Sequence, residues 1–303
     1  MQRVLSSSTD RSRLFYLFFF AFLGLFLSAI LMGLIFGVEV DAVRGVWEIR
    51  FSSFVQALLM FFLPAYAVFA WSFPQPFRAL KLLKTDVLWK NIAWGVVILC
   101  IACPFTSFLT QLNKEMVLPA SMSGIEQWIW NYEQQAKGVA DLMLSGKSIS
   151  GLLVNLLLVA GFAAVAEELF FRGALQQLWQ GITKSRHLAV WTTAFIFSAI
   201  HLQFYGFLPR LVLGAMLGYL FSYSGNLWVS IAVHFLNNAI VISAMYYRNF
   251  NPEAVNRIDN LPITLAFTLI AVVSLILTVA LFWWRDKENQ KAFVSGDKKG
   301  GVL

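Results

Sequence analysis

Long apolar runs separated by short polar connections set the pattern of this chain. Eight runs stand out, at residues 14–38, 54–73, 91–111, 151–175, 188–204, 209–223, 228–246 and 262–284. A helix needs about 20 apolar residues to cross the roughly 30 Å hydrocarbon core of a bilayer, and most of these runs come close to that length. Inside a bilayer each backbone N–H and C=O has to be satisfied within its own segment, which favours helix for all of them. The run at 209–223 is the shortest. The first run is too long for the apolar part of a signal peptide and has no A-x-A site after it, so it reads as an uncleaved anchor. The expected fold is all-α, a polytopic integral membrane helical bundle of about eight transmembrane helices.

Composition agrees with that pattern. Of 303 residues, 59% are hydrophobic and only 13% charged, with a mean hydropathy of +0.69. Such a chain is too apolar for a soluble domain. A net charge of +7 raises the question of nucleic acid, but the basic residues follow membrane topology instead. With the N-terminus inside, fourteen Lys and Arg fall in inner segments and eight in outer ones, with Arg172 inside a span. The excess of cytoplasmic Lys and Arg typical of membrane proteins gives an N-in, C-in orientation. The expected location is a multi-pass protein of a membrane, the bacterial cytoplasmic (inner) membrane. Its partners would be the lipid bilayer and a peptide or protein substrate in or near it, with no nucleic acid.

The chain divides into a polar cytoplasmic tail (1–13), a first group of spans with a long outer connection (14–150), a candidate catalytic membrane core (151–248), and a last span with a basic cytoplasmic tail (249–303). The connection at 112–150 carries Trp128, Trp130 and Tyr132 among mixed charges. That mixture suits an amphipathic helix at the outer interface, either a lid or an ordinary connection with an aromatic belt. Cys100 and Cys103 form a C-x-x-C in an apolar helix, where small packing residues are a better reading than a redox pair.

Charge inside the apolar runs is where chemistry begins. Among the 16 acidic residues, only Glu167 and Glu168 fall within a span. A charge at the bilayer centre costs about 2.5 to 3.5 kcal/mol on insertion scales, so such a pair marks a candidate functional site. Glu168 and Arg172 are spaced i, i+4 and can pair along one helix face, while Glu167 is rotated by about 100° and left available. Two of the three histidines, His201 and His234, also lie in spans of this half of the chain. His234 and Asn238 share a helix face at i, i+4. A carboxylate, two imidazoles and a carboxamide suffice for hydrolysis of an acyl bond by water. The carboxylate would take a proton from water, and the imidazole and amide would donate to the developing oxyanion. Other protease signatures are missing: there is no H-E-x-x-H, no G-x-S-x-G, and no Asp in any span. Residue 222 before Ser224-Gly225 is Ser rather than the Gly of a rhomboid-like G-x-S-G.

Glu167-Glu168-Leu169-Phe170-Phe171-Arg172, Phe197 to His201, and His234 to Asn238 match E-E-x-x-x-R, F-x-x-x-H and H-x-x-x-N in order. This set resembles the CPBP intramembrane protease family, which includes type II CAAX prenyl endopeptidases and the bacterial bacteriocin-processing, lysostaphin-resistance A-like and Abi proteins. The resemblance covers about residues 151–244; the earlier spans are similar only in being apolar helices. It implies that Glu167 is the base that activates water, that His201 binds or orients that water, and that His234 and Asn238 form the oxyanion site. Glu168 and Arg172 would be supporting, and Phe197 would line the pocket. A weak two-His, one-carboxylate zinc site is compatible with these residues, but the preferred reading is a mechanism without metal or other cofactor. The function expected is an intramembrane endopeptidase. The alternatives are a non-catalytic scaffold or self-immunity protein of the same fold, and a proton-coupled transporter using Glu167 and His201 as a relay. Counting from the span ends places Glu167 and His234 toward the cytoplasmic side, so the site is expected to open to the cytoplasmic half of the bilayer.

Overall fold

The computed structural model describes residues 4–37, 45–83, 87–116, 118–144, 146–259 and 262–294. Arg3, Lys84, Lys298 and Lys299, counted above as inner charges, and Arg44, counted as an outer one, lie outside the described residues. All regular structure among the described residues is helical. The main elements are α1 (Asp10–Phe36), α2 (Val46–Ser72), α3 (Leu88–Lys114), α4 (Ser123–Leu144), α5 (Ile149–Thr183), α6 (Arg186–Ala199), α7 (Phe207–Ser224), α8 (Leu227–Arg248) and α9 (Leu265–Val294).

The helix ends lie where the sequence supplies caps. The side chains of Thr9, Ser148, Ser185 and Asn226 accept backbone N–H bonds at the starts of α1, α5, α6 and α8, satisfying donors that a first helical turn leaves open. Gly225, at φ 62°, ends α7 in the left-handed conformation. Only glycine adopts that conformation without cost, so the chain can reverse into α8 within two residues.

Seven helices among the described residues are long and apolar enough to cross a membrane. The run at 188–204 is the one that differs from a full span. Its helix, α6, has 14 residues, a length of about 21 Å. The chain then turns through Leu202, which takes a left-handed φ of 54°, and enters α7 by a short turn at Phe204–Gly206. α6 and α7 thus form a hairpin that packs through small residues. A Cβ on Gly214 would lie 3.2 Å from Ala194, and one on Gly218 would lie 3.0 Å from Val190. This is the close approach that a G-x-x-x-G spacing permits between membrane helices.

Two faces can be assigned from the contacts. On one, Leu5 N–H donates to Trp71 O, Leu227 N–H to Lys81 O and Gln177 Nε2 to Ala79 O, and Arg186 pairs with Asp286 at 2.6 Å. On the other, Arg248 pairs with Asp141, Asn249 donates to Leu144 O, and Glu133 accepts from Tyr205 N–H. The start of α1 and the Asp286 end of α9 share the first face, as the alternation of spans required. α4 lies on the second.

α5 is the central element. Every residue from Leu169 to Gln176 is buried, and Phe61 and Phe197 pack edge-on or tilted against Phe170 and Phe171 of α5, with ring centroids 5.1 to 5.7 Å apart. Its backbone is interrupted by two π-helical segments, Leu156–Phe162 and Leu169–Gln176, which flank a short α segment ending in Glu167 and Glu168. Such wide turns are rare and are frequently found at functional sites; a third one, Leu58–Phe62, lies in α2.

Candidate active site

Glu168 and Arg172 meet as their spacing required. Arg172 Nη1 donates to Glu168 Oε1 at 2.5 Å, with both side chains fully buried. The arginine is held twice more: Nη2 donates to Gly214 O at 2.8 Å, and the guanidinium lies over the Phe197 ring at 4.9 Å. Gln176, one turn along, repeats the pattern by donating to Gly218 O at 3.1 Å. The two glycines therefore do more than allow close packing: they bring backbone acceptors to the polar side chains of α5.

Glu168 has a second partner. Its Oε1 lies 2.8 Å from His234 Nδ1. Glu168, paired with Arg172, acts as the acceptor, so Nδ1 carries the hydrogen and donates. That bond fixes the imidazole with Nε2 turned toward Glu167, 3.9 Å from its Oε2. His201 is fixed in a parallel way. Its Nδ1 is 2.7 Å from Phe197 O, which can only accept, leaving Nε2 of a neutral ring as an acceptor. Phe197 serves both histidines, with ring centroids 5.2 Å from His201 and 5.8 Å from His234.

Glu167, Phe197, His201, His234 and Asn238 all line one cavity of about 730 Å³. Asn237 lines it too, and its Nδ2 donates to Asn238 Oδ1 at 3.3 Å, which turns the Asn238 amide nitrogen away from that contact. The sequence-derived set is thus brought together, with Glu168 and Arg172 buried behind it. Among the described residues, no three His, Cys, Asp or Glu side chains cluster as a metal site. Cys100 and Cys103 are free thiols on the exposed side of α3.

The position of the cavity departs from expectation. It extends from Glu167 to Met143 and Leu144 of α4 and to Met245 near the end of α8. It therefore occupies the half of the bundle away from the start of α1 and the Asp286 end of α9. The reason lies in α5. The apolar run ends at Leu175, but the helix continues to Thr183 because Gln176 and Gln177 are satisfied inside the bundle. Glu167 is the nineteenth of 35 residues, at mid-helix rather than near an end.

Residues 149–240 match the family model described as type II CAAX prenyl endopeptidase Rce1-like. The resemblance read from the motifs holds. An uncharacterized protein of Bacillus subtilis (strain 168), YpbD, is 28% identical over 129 residues, covering 41% of this chain and 61% of YpbD. The chain thus spans less than two thirds of that relative's length. No solved structure matches.

The Rce1-like segment holds all seven residues singled out from the sequence, from Glu167 to Asn238. Three features escaped that reading. Gly214 and Gly218 carried a signal, a G-x-x-x-G in an apolar run. The π segments leave none, since their residues are ordinary helix formers. Arg210 read as an outer connection residue, yet it lines the cavity with Glu167.

Proposed function

We propose that this chain is an intramembrane endopeptidase in which Glu167 activates water against a peptide carbonyl. The observation that carries the reading is the shared cavity: Glu167 faces it beside the Nε2 of a histidine whose Nδ1 is held by a buried carboxylate. A carboxylate behind an imidazole sets its tautomer and supports a positive charge on it, the logic of catalytic triads.

The steps follow from these roles. Water donates to Glu167 and to the accepting Nε2 of His201. Glu167 takes one proton as the water oxygen bonds to the carbonyl carbon. The resulting oxyanion is met by the Asn238 amide and by His234, which donates through Nε2 only when its ring carries both protons. Glu168 is the counter-charge for that state. As the C–N bond breaks, Glu167 returns its proton to the leaving amine. Removing a single oxyanion donor from such a site typically slows turnover about 10²- to 10³-fold.

The cavity lies in the half of the bundle opposite the basic inner segments. With the N-in orientation from the charge count, the substrate segment is drawn from the outer half of the bilayer. The end of α4 at the cavity is tied down, Met143 O by Arg50 and Asn155 and Leu144 O by Asn249, so in this reading the part of α4 before Ala140 would move as a lid.

The test is cleavage of a quenched peptide library by the purified chain in lipid, with and without o-phenanthroline. Cleavage that persists with chelator supports the metal-free reading. Cleavage abolished by chelator and restored by zinc would replace it with a metal mechanism. No cleavage of any peptide would favour the scaffold alternative.

A further inference from the structure

Arg210 is a charged side chain that the mechanism does not use. It sits in the first turns of α7 and lines the catalytic cavity across from α8. Its Nη2 donates to Gln203 Oε1 at 2.7 Å. Its Nη1 is buried and has no hydrogen-bond partner among the described residues. The carboxylates whose charge reaches it are Glu133 and Glu167. Neither forms an ion pair with it among the described residues. Glu133 is occupied by the backbone N–H of Tyr205 at 2.9 Å.

The surroundings make room for the guanidinium. A Cβ on Gly206 would lie 2.9 Å from Arg210 Nη2, so the bare backbone of the α6–α7 turn is what lets the side chain lie over it. Gln203 and Gly206 both follow the left-handed Leu202; Gln203 holds one edge of the fork and Gly206 leaves room for it, while Nη1 stays unpaired. An arginine at membrane depth is costly unless paired, and such residues mark substrate pathways. A planar fork with an open edge is suited to a carboxylate.

We propose that Arg210 is a substrate-binding residue that takes a carboxylate of the peptide, donated either by its free C-terminus or by an acidic side chain. The inference rests on the cavity being the peptide site. Glu167 lines the same cavity, so a carboxylate would be repelled from it without this cation. Arg210 thus selects where along the substrate the acid lies and keeps it away from the attacking water.

The experiment separates binding from cleavage. Fluorescent peptides of one sequence, with a C-terminal acid or amide and with an internal Glu or Gln, are titrated against the full chain in lipid nanodiscs. The same peptides are assayed for cleavage. The acid form at one of the two positions should bind wild type about tenfold or more tighter than its neutral match, and the position identifies the source. In Arg210→Gln the ratio should fall to near one, and Arg210→Lys should retain part of it. Equal binding of acid and neutral peptides by wild type would overturn the proposal, as would a preference that survives in Arg210→Gln. Cleavage without acid preference would defeat this inference and leave the protease reading standing. Acid preference without cleavage would do the reverse.

Discussion

Glu168 is the residue on which the site depends, because one carboxylate oxygen serves both Arg172 and His234. Breaking a buried pair by removing one partner leaves an uncompensated charge and typically costs about 3 to 5 kcal/mol. Arg172→Met is therefore expected to lower the unfolding temperature sharply in detergent, and a variant as stable as wild type would contradict the pairing. Asn238→Ala should leave stability nearly unchanged and reduce kcat about 10²- to 10³-fold, with a smaller effect on KM, since the amide acts on the oxyanion. The pairing of Glu168 with Arg172 was legible in the sequence because i, i+4 geometry is local. Its bond to His234 was not, because 66 residues separate the partners and spacing on one helix carries no information about another. Arg210 was missed for a similar reason. It falls in a short polar break between apolar runs, and only the α6–α7 turn aims it into the cavity.

At the scale of elements, apolar runs and caps made most helices readable, while their ends followed bonds that the runs do not show. α6 is shorter than its run because the chain turns at Leu202, and α5 is longer because Gln176 and Gln177 find partners inside. The α6–α7 hairpin depends on Gly214 and Gly218. Gly218→Val places bulk against Gln176 and Val190, and overpacking of this kind costs about 1 to 3 kcal/mol or more. The expected result is a lowered unfolding temperature with loss of cleavage; unchanged stability would argue against the close approach. α4 is held at its C-terminal end through Met143 O, which accepts from Arg50 Nη2 at 3.5 Å and from Asn155 Nδ2 at 3.1 Å, while Arg50 Nε donates to the same Asn155 of α5 at 2.8 Å. Toward the middle of α4, Glu133 reaches Tyr205. A Glu133→Cys, Tyr205→Cys pair should form a disulfide that blocks cleavage until it is reduced. Full activity of the oxidised pair would show that α4 does not move to admit substrate.

For the whole molecule, the two ends of the described chain share one face, and the cavity lies in the other half. With the exposed Cys100 and Cys103 replaced, single cysteines at positions 78 and 81 should label from the cytoplasmic side with a membrane-impermeant maleimide, and those at 133 and 250 from the outside. The reverse pattern would invert the orientation and move the substrate to the cytoplasmic half. The decisive measurement is kcat for one cleaved peptide with wild type and Glu167→Gln in lipid, alongside their unfolding temperatures. Loss of a general base predicts a fall of about 10²- to 10⁴-fold at matched stability. Equal rates in the two proteins would contradict the assignment of Glu167 and, with it, the proposed mechanism.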